Sequence, residues 1–114
     1  MNGSRDFQSI VSAFLTAANA FDTNAAVALF APNAVIDDPS TGERFAGLRG
    51  VRDYVERFFV GYHTVSRLIS VTPLDHARSQ ARVDFTGDFG HEIGRLDLAV
   101  DDDGRIIRID ADLE

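Results

Sequence analysis

The chain has 114 residues, 45% hydrophobic and 25% charged, which fits one globular domain spanning residues 1–114. A formal net charge of −7 disfavours nucleic acids and anionic membrane surfaces as partners, and the absence of cysteine excludes disulfides, thiol nucleophiles and thiolate metal sites. With no apolar run near the roughly 18 residues of a membrane span and no signal-peptide pattern, we expect a cytoplasmic protein.

The N-terminal part of the chain is predicted to be helical. Apolar residues recur at helical spacing over residues 7–21 and indicate a first helix with one apolar stripe. Asp22 offers an N-cap for a short second helix that carries Phe30 near its end. Pro32 is expected to stop that helix.

Two short strands are expected next, near residues 34–37 and 44–46, with a turn at 39–42 between them. After Gly47 the helical period returns and continues to Tyr62. This is the best amphipathic helix of the chain, and its pattern predicts that all of its aromatic residues lie on the buried side.

The C-terminal part is predicted to form four strands, near 65–72, 79–89, 91–100 and 105–113. Alternation places apolar side chains on one face and interleaved arginine and aspartate on the other. The charged face is either a solvated surface or a homodimer interface. The residues expected on the apolar face are Ala81, Val83, Phe85, Leu96, Leu98, Val100, Ile107, Ile109, Ala111 and Leu113.

Helices packed against the apolar face of a single sheet define an α+β fold. A curved, mostly antiparallel sheet wrapped around the long helix leaves a cone with an open end. Such an end is a natural site for an apolar pocket that takes a small hydrophobic molecule.

One stretch of sequence carries a family resemblance. It reads Phe30-Ala31-Pro32-Asn33-Ala34-Val35-Ile36-Asp37-Asp38-Pro39, followed by Phe45-Ala46-Gly47 and Val51-Arg52-Asp53-Tyr54. This order resembles the nuclear transport factor 2-like superfamily, and within it the ketosteroid isomerase and SnoaL-like polyketide cyclase branches. The resemblance implies a cystatin-like cone, a homodimer formed through the sheet, and a general base at Asp38.

The resemblance also shows where the sequence departs from ketosteroid isomerases. Those enzymes combine their base with an oxyanion hole made of a tyrosine and a protonated aspartate. The positions that look equivalent here hold Phe14 and Leu96. Asp97 is adjacent, but it should face the opposite side unless the register slips by one residue. Because losing one oxyanion donor costs about 10²–10³ in rate, steroid isomerisation by that mechanism is not expected.

Three polar residues are candidates for catalysis. Asp38 is either the proton-transferring base or only the cap of a turn before proline. Tyr54 either donates to a carbonyl oxygen or is a core residue, and His63 either acts as a pocket acid or base or caps the third helix. The histidines match no zinc signature and the acidic run at 101–103 is not a calcium loop, so neither a metal nor a cofactor is expected.

The leading hypothesis is an isomerase-like or cyclase-like enzyme for a small hydrophobic carbonyl compound, with Asp38 moving the proton. A second is a non-catalytic domain, either binding an apolar ligand or mediating dimeric assembly. A third, epoxide hydrolysis or dehydration, requires Arg67 or His63 to enter the cavity. The predicted pocket lining is Phe14, Phe30, Tyr54, Phe58, Val83, Phe85, Leu96, Leu98 and Ile109.

Overall fold

The structure is a computed structural model that describes residues 6–114. It has three helices and six strands. In chain order these are α1 (Phe7–Asn19), α2 (Thr23–Val27), β1 (Phe30–Asp38), β2 (Glu43–Ala46), α3 (Gly47–Val55), β3 (Val65–Pro73), β4 (Arg78–Gly87), β5 (Gly90–Val100) and β6 (Ile106–Leu113).

All six strands form one curved sheet in the order β2-β1-β6-β5-β4-β3. Every neighbouring pair is antiparallel except β1 and β6, which run parallel. The helices lie on one face, where α1 contacts β3 and α3 contacts β1 and β2. The expected α+β, mostly antiparallel sheet is therefore present.

The core lies between the helices and the inner face of the sheet. Phe14 of α1 is fully buried at its centre and packs edge to face on Phe30 and Phe59, with ring centroids 5.7 Å apart in both pairs. These contacts fix α1 against β1 and against the third helical segment, residues 47–62, which comprises α3 and the turns that follow it.

The second helix is shorter than predicted, and the strand that follows it is longer. The structure ends α2 at Val27 and begins β1 at Phe30, which pairs with Ile106 of β6. Pro32 interrupts neither element, because it lies where the β1–β6 register shifts, and proline is tolerated at such irregularities.

The third helix is not one regular helix from 48 to 62. A π-helical turn, Glu56–Val60, follows α3, and the amide of Gly61 donates to the carbonyl of Glu56 at 2.8 Å. The prediction that all aromatic residues of this segment are buried is wrong for Tyr62, which is 44% exposed.

One inward position of β6 also differs from the expected alternation. The register shifts between Ala99 and Val100, so that Val100 pairs with Ile106 and Ala99 with Arg108. Ile107 is the extra residue and is only half-buried, whereas Ile106 is fully buried. Because a bulge inserts one unpaired residue, the residues before it face the side opposite to the one that regular alternation predicts.

The outer face of the sheet carries the expected arginine and aspartate residues, and they pair within the protomer. Arg108 contacts Asp110 at 2.8 Å and Asp37 at 3.3 Å, and Arg95 contacts Asp112 at 3.3 Å. Within residues 6–114 no helix is long and apolar enough to cross a membrane.

Candidate functional site

Asp38 stands at the end of β1, and its side chain continues the inward alternation of Ala34 and Ile36. It is 8% exposed. Its Oδ1 accepts hydrogen bonds from the amide and hydroxyl of Ser40, at 3.1 and 2.7 Å. Asp38 therefore caps the turn at 39–41 and also faces the interior, and its role as a base stays a prediction.

The second oxygen of Asp38 is held by Tyr54. The phenol of Tyr54 donates to Oδ2 at 2.7 Å, and both side chains are buried. Gly50, one turn earlier in α3, makes this reach possible, because a Cβ there would lie 2.8 Å from the backbone carbon of Phe45 in β2. The glycine lets α3 approach β2 closely.

The environment of Tyr54 keeps its hydroxyl protonated. Burial is the main cause that raises the pKa of Tyr54 well above its usual range, and the nearby Asp38 carboxylate raises it further. The phenol is thus a fixed hydrogen-bond donor to an ionised carboxylate.

Beside Asp38 a cavity of about 470 Å³ opens toward solvent. Its aromatic wall is continuous: the ring of Tyr54 lies 5.2 Å from Phe58 and 6.0 Å from Phe59, and Phe59 lies 6.3 Å from Phe85. The full lining is Asp38, Ser40, Thr41, Tyr54, Phe58, Phe59, Tyr62, Thr64, Phe85, Asp88, Phe89, Glu92, Leu96, Ala111, Asp112 and Leu113.

The mouth of the cavity joins the third helical segment to the β4–β5 turn. Tyr62 and Phe89 face each other there, with ring centroids 6.1 Å apart. Gly87 allows the approach, because a Cβ at this position would lie 2.8 Å from the carbonyl oxygen of Tyr62 and 2.9 Å from the ring of Phe89. Both rings remain more than 40% exposed.

The structure brings together five of the residues that were predicted to form the site: Asp38, Tyr54, Phe58, Phe85 and Leu96. Leu96 pairs with Ala81 and Ala111 on the inner face. Asp97 faces outward and accepts from Gln80 at 3.0 Å, so the register has not slipped. Leu96 is therefore an apolar residue of the cavity wall.

Five other predicted lining residues are core residues and do not line the cavity. They are Phe14, Phe30, Val83, Leu98 and Ile109. The prediction took these five inward residues as pocket wall and left out Ala111 and Leu113, which do line the cavity. In the structure, α1 covers one end of the sheet, so the inward side chains there touch other side chains.

His63 does not enter the cavity. Its imidazole is 70% exposed and lies 2.9 Å from a carboxylate oxygen of Asp88 on the outside of the mouth. Arg67 is also outside, 72% exposed and paired with Asp84 at 2.9 Å. Neither residue supplies the converging polar groups that epoxide hydrolysis or dehydration on this fold would need.

Four of the five hydroxyl groups on the described wall donate hydrogen bonds within the protein, and the fifth, that of Tyr62 at the mouth, makes none among the described residues. Ser40 and Tyr54 donate to the Asp38 carboxylate, Thr41 donates to the Asp38 carbonyl at 2.8 Å, and Thr64 donates to the Phe58 carbonyl at 2.7 Å. No lysine exists in the chain, and no group of acidic or histidine residues in the described part could hold a metal ion.

The sequence interpretation missed Ser40 and the residues of the mouth. Ser40 had a local signal, because a serine two residues after an aspartate commonly donates to it in a turn. Glu92 also had a local signal in the sequence, because it continues the inward alternation of Leu96 and Gly94. The closeness of Tyr62 to Phe89 had none, because it depends on how the π-helical turn meets the β4–β5 turn.

Comparison with known families matches residues 11–110 to the SnoaL-like domain family. No curated protein matches the chain. Among solved structures, a putative polyketide cyclase from Sinorhizobium meliloti is 24% identical, with a TM-score of 0.82 over 91% of this chain and 94% of that one.

Two further structures share the fold at 17% identity. One is a putative ketosteroid isomerase from Kribbella flavida, with a TM-score of 0.80 over 93% of this chain and 76% of the other. The second is SalBIII, described as an epoxide hydrolase/cyclase-like enzyme in pyran ring formation in the polyether salinomycin; its TM-score is 0.82 over 94% of this chain and 89% of that one. These matches confirm the nuclear transport factor 2-like, cystatin-like fold.

Proposed function

The chain belongs to the SnoaL-like domain family, and on that premise we propose that it transfers a proton next to the carbonyl group of a small hydrophobic compound. The supporting observation is Asp38, a carboxylate that is 8% exposed and opens into an aromatic cavity beside the Tyr54 hydroxyl. A base in reach of a bound carbon acid and shielded from water is what this reaction requires.

In the proposed step, Asp38 accepts the proton from the carbon next to the carbonyl. The electrons of that C–H bond become the enolate, and the negative charge moves from the carboxylate to the substrate oxygen. Asp38, now protonated, no longer needs the Tyr54 hydrogen bond and can itself donate to the phenol oxygen. The Tyr54 hydroxyl is then free to donate to the enolate oxygen, which stands in for the missing oxyanion donors. Return of the proton to a different carbon completes an isomerisation. In a ring closure, the enolate carbon attacks a second carbonyl carbon of the substrate, the π electrons of that C=O bond form an alkoxide, and the alkoxide takes the proton from Asp38.

Deuterium exchange tests this proposal without knowledge of the natural substrate. Hydrophobic ketones are incubated with the protein in D₂O, and loss of the proton next to the carbonyl is followed by NMR. Asp38→Asn should slow the exchange by about 10²–10⁴, the usual contribution of a general base. Asp37→Asn is the matched control, because Asp37 is adjacent in β1 but contacts Arg108 on the outer face.

If wild type and Asp38→Asn exchange every ketone at the same rate, the protein is not an Asp38-dependent enzyme. A second candidate function, non-catalytic binding of an apolar ligand, would then be preferred. It is favoured by one observation: four of the five hydroxyls on the described wall already donate within the protein, so only Tyr62, at the mouth, offers a free donor to a carbonyl oxygen before reaction.

The expected homodimer through the outer face of the sheet stays a prediction. Arg95 and Arg108 stand among aspartates there, so two copies facing each other could exchange ion pairs. Sedimentation equilibrium of wild type and Arg108→Glu tests it. If the wild-type protein is a monomer, the prediction of a homodimer is wrong and the outer face is a solvated surface.

A further inference from the structure

The charges around the cavity all have one sign. Its lining contains four carboxylates, those of Asp38, Asp88, Glu92 and Asp112, and no arginine or histidine. This is unusual in a chain with 11 arginines, several of which lie elsewhere on the surface without carrying charge into the cavity.

Asp38 is the most demanding of these charges because it is nine-tenths buried. Its hydrogen bonds come from neutral groups of Ser40 and Tyr54, and no cation of residues 6–114 forms an ion pair with it. The cavity wall at Asp38 is therefore also without a compensating cation, which disfavours an anionic ligand there.

Glu92 lines the same cavity as Tyr62 and Phe89, the exposed rings of its mouth. Within the described part of the chain Glu92 has no ion-pair partner, whereas Asp88 is paired with His63 and Asp112 with Arg95. Aromatic faces carry negative quadrupole charge and attract cations within about 6 Å. The protein already uses this attraction on the outer side of the same wall, where the Arg57 guanidinium lies 5.0 Å from the ring of Phe58.

We propose that the natural ligand of this pocket carries a positive charge: a hydrophobic amine or quaternary ammonium compound whose cationic group sits at the mouth, between Glu92 and the rings of Tyr62 and Phe89. The inference rests on the proposed function, since it names the substrate class of the same pocket. The apolar, carbonyl-bearing part of the ligand would extend along Phe58 and Phe59 toward Asp38. Carboxylate-, phosphate- or sulfonate-bearing compounds are excluded by the same charges.

A set of three phenols with one shape and three charges tests the inference. The probes are 4-(trimethylammonio)phenol, 4-tert-butylphenol and 4-hydroxybenzenesulfonate, titrated by calorimetry at low ionic strength because salt screens exposed charges. We expect the cation to bind about tenfold more tightly than the neutral isostere, equivalent to about 1.4 kcal/mol, and the anion to bind most weakly.

Variants of the mouth locate the effect. Glu92→Gln and Tyr62→Leu should each reduce the preference for the cation over the neutral probe by about threefold, within the range for one exposed charge or ring contact. Glu56→Gln is the control, because it removes one exposed charge of the same type outside the cavity. Equal binding of the cationic and neutral probes would overturn the inference.

The deuterium-exchange experiment separates this inference from the proposed function. Asp38-dependent exchange of ketones without a preference for the cation would refute the cationic ligand alone. A preference for the cation without exchange of any ketone, amine-bearing ketones included, would refute proton transfer and leave an ammonium-binding protein.

Discussion

The two ends of the cone are built from the same strands but are completed differently. At the closed end, defined here by Phe14, Phe30, Leu98, Ile106 and Ile109, the inward side chains touch one another and α1, and all are buried. At the open end, defined by Asp38, Tyr54, Phe85, Leu96 and Ala111, the inward side chains surround about 470 Å³ of space. On β5 and β6, a step of two residues, from Leu98 to Leu96 and from Ile109 to Ala111, leads from the filled core to the cavity.

A side chain can therefore point inward from the sheet without lining the cavity. Leu98 and Leu96 face the same way on β5, yet only Leu96 reaches the cavity. What decides is the element on the other side. Leu98 belongs to the buried core that Phe14 of α1 joins, whereas Leu96 shares the cavity wall with Phe58 and Phe59 of the π-helical turn.

The largest expected effect is at the closed end. Phe14→Ala should lower the free energy of unfolding by about 3–5 kcal/mol, because it leaves a cavity where two edge-to-face contacts had been. Urea unfolding followed by circular dichroism measures it. Phe89→Ala at the mouth is the control and should change stability by less than about 1 kcal/mol. Equal losses would mean that the two ends are not energetically distinct.

A matched pair of alanines tests the boundary between the ends. Ala81 and Ala111 flank Leu96 on neighbouring strands, but only Ala111 lines the cavity. Ala81→Leu should cost about 1–3 kcal/mol of unfolding free energy, because its site is already filled. Ala111→Leu should leave stability nearly unchanged but weaken binding of 4-tert-butylphenol, since the new side chain occupies ligand space. Unfolding and calorimetry measure the two effects, and strong destabilisation by Ala111→Leu would contradict an open cavity.

The smallest effect concerns the titration of Tyr54. Since its pKa is raised in the folded state, its contribution to stability is complete below the unfolded pKa of about 10 and is lost as pH rises through the folded value. The difference in absorbance near 295 nm between wild type and Tyr54→Phe should therefore show the Tyr54 phenolate only well above pH 10. In Asp38→Asn it should appear at lower pH, because the carboxylate charge and its hydrogen bond no longer raise the pKa of Tyr54 and only burial remains. A difference spectrum that titrates near pH 10 in wild type would show that the phenol is not buried against a carboxylate.

The sequence predicted the fold because periodicity and the motif around Asp38 agree, and both depend on local patterns. It also placed Asp38, Tyr54, Phe58, Phe85 and Leu96 on the inner side. It could not separate wall from core, because that depends on where α1 crosses the sheet.

Three local details also escaped prediction for physical reasons. The bulge at Ile107 reverses the face of Ile106, and a single unpaired residue leaves no mark in the alternation. His63 adopts a positive φ of 54° at the end of the third helical segment, which turns it away from the cavity. The third detail is the meeting of Tyr62 with Phe89 at the mouth, which joins segments that are far apart in sequence.

The parallel pairing of β1 with β6 has a consequence for how the protein folds. Strand β6 follows the other described strands in the chain, yet it lies between β1, which carries Asp38, and β5, which carries Leu96. Without residues 106–113, no strand connects β2-β1 to β5-β4-β3. Contacts between distant parts of the sequence form slowly, so we expect the carboxylate and the opposite wall of its cavity to come together only once β6 has joined the sheet.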